Sequence, residues 1–269
     1  MEIEIVTLSR QGGRDYNEDV FGHWHDSHFV ACLVADGAGG HGGGDVASAT
    51  VRASVLGGFA AAPSLEADML RRLLEQANLD VVARQAEGGK LAAMRSTVVL
   101  AAVDLESRAL AWAHSGDSRA YLFRGGAIVA RTTDHSLVQQ MVASGMLDEE
   151  GARLHPQRNM LLSALGSVSE PPEISVSERM RLQAGDVLLL CSDGIWEVLG
   201  DEGLVTTLHA SRTPSQWVDE LDAQVSARAK PGNDNYTALA LWVLVDEDGD
   251  ETRLLPDDLG TLPAPLAQA

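Results

Sequence analysis

The sequence predicts an α+β layered domain built on mostly antiparallel sheet, from three observations. Short apolar runs of strand length recur along the chain, a Gly-Gly pair joins two such runs tightly, and helical stretches precede the central runs and the last one. The strand runs fall at 3–8, 29–35, 97–105, 109–114, 120–124, 187–191 and 236–245, each rich in Val, Ile, Leu or Ala and bounded by polar residues or glycine. Gly125-Gly126, between YLFR and AIVART, has hairpin chemistry, because the favoured two-residue turns need positive φ. Apolar residues recur at three and four over 45–59, 65–85, 136–144, 202–210 and 214–229, which predicts helices there. Thr213 before Pro214 marks the start of the last one, a hydroxyl cap followed by a residue whose missing N–H is not needed in the first turn. Strands that follow one another without alternating helices exclude a parallel doubly wound sheet. Between 146 and 172 the pattern weakens into a polar stretch with His155, Pro156 and Arg158, expected to be a flap. The one domain expected spans 1–246, and 247–269 is acidic, Pro-containing and aperiodic, the composition of a disordered tail.

Composition narrows the classes of function. The 269 residues are 45% hydrophobic and 22% charged, ordinary for a globular chain. Thirty-nine acids against 20 bases give a formal charge of −19, which repels nucleic-acid backbones and anionic lipid. No stretch approaches the ~18 apolar residues of a membrane span, and no basic-then-apolar leader opens the chain. The two cysteines, Cys32 and Cys191, lie inside apolar runs and read as buried thiols rather than a disulfide. A cytoplasmic protein is expected, without nucleic-acid or membrane partners.

Four aspartates share one local setting, each where an apolar strand meets glycine or a turn: Asp36 in LVADGAGG, Asp117 in HSGDSR, Asp193 in LCSDGIW and Asp234 in PGNDNYTALAL. A single Asp-Gly pair is ordinary turn chemistry. Four at strand ends can converge at one sheet edge, where burying like charges is costly unless cations compensate. Magnesium-type ions take oxygen ligands and keep several waters, so a few carboxylates and one carbonyl suffice for a shared pair, with one aspartate bridging. Gly37 leaves its own carbonyl free to take part. Near the N-terminus, GGRDYNED adds Arg14, Glu18 and Asp19, and a planar guanidinium suits bidentate contact with phosphate.

With GGRDYNED, VADGAGGHGGGDVAS, RSTVVLAAV, HSGDSRAYLFRGG, TTDHSLVQQMVASG, HPQRNMLLSALG, CSDGIWE and GNDNYTALAL in that order, the chain resembles the metal-dependent protein phosphatase family of 2C type, in its compact bacterial form, over roughly 3–245. The resemblance implies a four-layer α-β-β-α sandwich with the metal site in a cleft at one edge. It implies that Asp36 bridges two divalent cations, Mn2+ or Mg2+, that the Gly37 carbonyl binds one, that Asp193 and Asp234 bind the other, and that Glu18 acts through water. Asp117, with Asp193, matches the position of a possible third ion, and Arg14 matches the phosphate-binding arginine.

The activity implied is hydrolysis of phosphoserine and phosphothreonine in proteins by a metal-bridging hydroxide, without a phosphoenzyme and without a cysteine nucleophile. The substrates expected are phosphorylated proteins, those of a bacterial serine/threonine kinase and the kinase itself; a monomer is expected. The chain departs from eukaryotic relatives at Ala38, where a histidine able to protonate the leaving group often stands, and from many relatives at Asp45, where they have Glu. His41 reads as a loop-fixing residue, with general-acid catalysis as the alternative, while His135, His155 and Arg158, in segments that resemble the family's flap, read as ordinary loop hydrogen-bonding residues, with substrate contact as the alternative. Trp112, Trp196, Trp217 and Trp242 read as packing residues. The alternative function is a catalytically silent phosphatase-like module that binds or senses phosphorylated partners; a phosphatase tuned to an anti-sigma-factor antagonist differs only in substrate.

Overall fold

Strands that are covered on both faces must be apolar at every position, and that is what the central runs show. In a computed structural model, which describes residues 1–39 and 42–244, strand β3 (Phe29–Ala38) follows β1 (Ile3–Arg10) and β2 (Asp19–His25). Along β3, Ala31, Leu33 and Ala35 pack into one apolar cluster while Val30, Cys32 and Val34 pack into another, so the period of two survives but both phases are hydrophobic. The chain continues through helices α1 (Gly44–Ala61) and α2 (Ala67–Gln85), a short 3-10 turn at Gly89–Leu91, then β4 (Arg95–Ser96), β5 (Val98–Asp104), β6 (Ala109–Ser115), β7 (Arg119–Arg124) and β8 (Ala127–Arg131). Helices α3 (Leu137–Ala143) and α4 (Glu149–Leu154) precede β9 (Ser175–Val176), β10 (Met180–Arg181) and β11 (Val187–Cys191); α5 (Asp193–His209), α6 (Pro214–Arg228) and β12 (Tyr236–Val243) complete it.

Two sheets result, antiparallel throughout. One runs β1-β12-β11-β7-β8; the other runs β10-β6-β5-β3-β2, with β4 paired to β3 and β9 to β6. Helices α1 and α2 cover the second sheet through Val51, Val55, Phe59, Leu70 and Leu74, and α5 and α6 cover the first through Leu204, Trp217 and Leu221. The inner faces meet in a third cluster, with Val99, Trp112, Leu188, Leu190 and Leu239. The expected α-β-β-α order is therefore the observed one. Cys32 belongs to the layer between the sheets and Cys191 to the layer under α5 and α6, so both thiols are buried and free, as anticipated.

Several local expectations change. Strand β2 is absent from the predicted set because DVFGHWH interrupts its apolar residues with Gly22, His23 and His25 on a strand that borders solvent. The helix expected at 202–210 begins at Asp193, because Asp-Gly, a turn signal in isolation, here follows Ser192 directly into helical backbone; Gly200, at φ 64°, then breaks the run that periodicity relies on. The stretch 146–172, expected to be loop, contains α4, capped by Asp148, whose carboxylate accepts the Gly151 N–H at 2.7 Å. The Thr213-Pro214 start of α6 is as predicted, the threonine hydroxyl accepting from Gln216 N at 3.2 Å. The acidic stretch 247–269 lies outside the described residues, as does His41.

Candidate active site

In antiparallel sheets the ends of some strands and the starts of their neighbours share an edge, and the acids singled out above all lie on one such edge. The end of β3 pairs with the start of β2, so that Asp36 faces Asp19; the ends of β1 and β11 adjoin the start of β12, and the end of β6 adjoins the start of β5. Asp36 and Gly37 sit at the end of β3, Asp117 in the β6–β7 turn, Asp193 at the first residue of α5 and Asp234 just before β12. Arg14 and Glu18 lie on the loop from β1 to β2.

That loop is tied down by polar residues whose roles the sequence does not announce. Asn235 receives the Glu18 N–H on its side-chain oxygen at 2.9 Å and donates to the carbonyls of Gln11 and Tyr16 at 2.6 and 3.1 Å. Ser48 of α1 donates to the Glu18 carbonyl at 2.6 Å, and the same carbonyl accepts the Gly37 N–H at 3.1 Å. The Asp36 backbone is held by Thr97 and Ser96, whose hydroxyls meet its N–H and carbonyl at 3.1 Å each. Close approach explains two glycines: a Cβ on Gly37 would collide with the Gly44 carbonyl at the start of α1, and one on Gly194 with the Asn235 carbonyl. The loops bearing Asp193 and Asp234 are thereby in backbone contact.

The electrostatics are those of a site that calls for cations. Burial, then the neighbouring charges of Asp19, Asp193, Asp117 and Asp234, hold the Asp36 carboxyl well above the usual range. Asp193 is raised likewise, by burial and then by Asp117, Glu197 and Asp234. Burial lifts Asp117 to about 7 and Asp19 to about 6 and also raises Glu18. Asp19, which the sequence leaves without a role, is buried opposite Asp36 and accepts the Ser192 hydroxyl at 2.6 Å. One oxygen each of Glu18, Asp19 and Asp193 is buried with no hydrogen-bond donor. Buried carboxylate oxygens without donors are costly alone and natural toward a hard divalent ion, so the donor set fits Mg2+ or Mn2+. Among the described residues no three acids already converge on a single point; Asp234 instead pairs with Arg14, 2.6 Å from its guanidinium.

A second cluster adjoins the acids. Arg119 forks onto Asp134 with two contacts of 2.8 Å, donates to the Tyr121 hydroxyl and lies 3.5 Å over the ring of Trp196. Trp196 donates its indole N–H to the Asp117 carbonyl at 2.9 Å, so this tryptophan, expected as packing only, fixes the backbone that presents Asp117. Trp112 and Trp217 are buried packing residues as expected. Of the flap candidates, Arg158 reaches Glu197 of α5 at 3.6 Å, and the His155 ring accepts from Gln157 N at 3.2 Å. His135 is buried at the base of the flap, stacked on His114 with 4.6 Å between ring centroids.

Comparison with known proteins identifies the family. A family model described as protein phosphatase 2C matches residues 9–236. The serine/threonine phosphatase stp of Listeria monocytogenes serovar 1/2a is 33% identical over 243 residues, 87% of this chain and 92% of that protein. The solved structure of the serine/threonine phosphatase Stp1 from Staphylococcus aureus superposes with a TM-score of 0.80 at 27% identity, covering 90% of this chain and 96% of that one. The PstP catalytic domain, solved in complex with two manganese ions, superposes at 0.73 with 28% identity over 90% of this chain and 99% of that one. The chain belongs to the protein phosphatase 2C family.

Proposed function

We propose that the acid-lined edge hydrolyses phosphoserine and phosphothreonine in proteins by direct attack of water on phosphorus, using the carboxylates to hold two divalent cations. The chain is a protein serine/threonine phosphatase, divalent metal is its cofactor, and phosphoproteins are its substrates. The observation that carries the mechanism is the set of donorless buried oxygens of Glu18, Asp19 and Asp193 around a strand end with Asp36. Asp36, the Gly37 carbonyl, Asp193 and Asp234 would hold the two ions, Glu18 would act through water, and Asp117 with Asp193 would hold a third. Bound there, divalent cations supply an acidified water and neutralise phosphate charge.

The chain's own residues do the rest. Arg14, more than half exposed at the mouth of the site, grips phosphate oxygens once its guanidinium leaves Asp234. Asn235 and Ser48 hold the backbone of the Glu18 segment, which fixes this part of the site before substrate arrives. Both thiols are buried in apolar layers, burial pushing Cys32 up to about 12 and Cys191 higher still, which leaves neither as a nucleophile. The substrates that fit this reading are targets of a serine/threonine kinase and the kinase itself, met in the cytoplasm by a monomeric phosphatase; among the described residues no helix is long and apolar enough to cross a membrane. The test is phosphate release from a phosphothreonine peptide with Mn2+, with Mg2+ and with a chelator. Turnover that needs metal and stops on chelation supports the reading. Folded protein that binds the peptide but turns it over with neither metal overturns it in favour of a silent phosphopeptide-binding module.

A further inference from the structure

Beside the acids, a cleft of about 720 Å³ is lined by Arg14 and by Lys90, the latter on the 3-10 turn between α2 and β4. This turn is fixed relative to the catalytic strand. β4 pairs with the end of β3, Ser96 opposite Gly37, and Gly43 at the start of α1 approaches the Lys90 carbonyl so closely that a Cβ there would lie 2.9 Å from it. The aliphatic stem of Lys90 lies over Gly42, its Cδ 3.2 Å from where a Cβ on that glycine would stand, with the Tyr16 hydroxyl on the same spot at 3.7 Å. Lys90 is exposed and, among the described residues, forms no ion pair, although the chain carries 39 acids to 20 bases. Arg95, further along the same segment and opposite Ala38 in the β3–β4 register, is likewise exposed without an ion pair.

Resting on the phosphatase reading above, we infer that Lys90 forms a second anion contact in the cleft that Arg14 also lines, selecting phosphoproteins that carry another anionic group, a second phosphate or an acidic side chain, close in sequence to the scissile phosphate. The cleft also contains Asp15, Glu18 and Asp45, so its overall charge does not favour anions. Selection is therefore a local contact made by an ammonium group that forms no ion pair among the described residues, and it weakens with salt as an exposed contact does.

The experiment measures kcat/KM of the full chain with Mn2+ on matched phosphothreonine peptides whose neighbouring residues are neutral, glutamate, phosphoserine or lysine. Fluorescent phosphonate analogues of the same peptides give the corresponding ratios by anisotropy without turnover. The expected result is a preference of about threefold to fivefold for the anionic peptides over the neutral one, abolished in Lys90→Ala, reversed in Lys90→Glu and kept in Arg181→Ala, a loss of positive charge on β10. The larger of the glutamate and phosphoserine ratios identifies which source of negative charge is recognised. An anionic preference that is absent from the wild type or unchanged in Lys90→Ala overturns the proposal, as does a preference for the lysine peptide. Loss of turnover on every peptide with the binding ratios intact counts against the catalytic reading alone.

Discussion

Two buried charged clusters lie side by side in this molecule and solve the same problem in opposite ways. Arg119 and Asp134, with side chains 11% and 6% exposed, cancel each other through a forked contact, while Arg119 donates to the Tyr121 hydroxyl and stacks its guanidinium on the ring of Trp196. Asp36, Asp19 and Asp193 form no ion pair among the described residues, and burial raises all three. The first cluster is finished by the fold; the second is finished by something the fold recruits. A charge that the chain satisfies internally contributes rigidity, and one it leaves open contributes chemistry.

Substitutions separate the two. The largest effect expected is on turnover. Asp36→Asn, which removes the carboxylate assigned to both ions, should lower kcat/KM by roughly a thousandfold, several kcal/mol of transition-state stabilisation. The same variant should melt a few degrees higher than wild type in chelator at pH 7, because a neutral amide needs no cation; a lower Tm would place Asp36 with the self-satisfied cluster. Arg119→Ala should do the reverse and strand Asp134 in the interior at a cost of about 3–5 kcal/mol, read as a drop in Tm of roughly 10 °C with or without metal.

A pH series sharpens the contrast. The folded pKa values of Asp19, about 6, and Asp117, about 7, exceed the ordinary 3.8, and those of Asp36 and Asp193 are raised well above it. The folded chain thus binds more protons than the unfolded one above pH 3.8, and the metal-free fold loses stability as pH rises from there through the folded values. The increase in Tm on adding Mn2+ should therefore be larger at pH 7.5 than at pH 5; an increase independent of pH would mean that the cation does not relieve these carboxylates. The smallest effect expected is that of Trp196→Phe. It keeps a ring under Arg119 but loses the bond to the Asp117 carbonyl, costing about 1 kcal/mol by thermal melting.

The same contrast decides what is legible in the sequence. Sheets enclosed on both faces leave continuous apolar runs, and β11 and the interior of β5 stand out for that reason. Asp36, Asp117, Asp193 and Asp234 announce themselves because each stands where a strand meets glycine or a turn, and the structure brings them to one edge. Asp19 does not, since its significance is a cross-strand partner, and register is not visible in a single strand with mixed polarity. Arg119 and Trp196 stay hidden for a related reason: an arginine inside HSGDSR and a tryptophan inside DGIWE look like surface and core, and only the folded chain stacks one on the other. Asn235 and Ser192 are short polar residues whose weight lies in which backbone groups they reach.

Gly194 marks where a distance is kept by an omission. Residues far apart in the chain deliver Asp193 and Asp234, and the gap between their loops is set by direct backbone contact with Asn235. One methyl group at position 194 would act as a shim, prising the two loops apart while altering no charge and no ligand. Silencing of this protein can thus arise at a residue with no side chain, and a survey of its variants that looks only at carboxylates would overlook it.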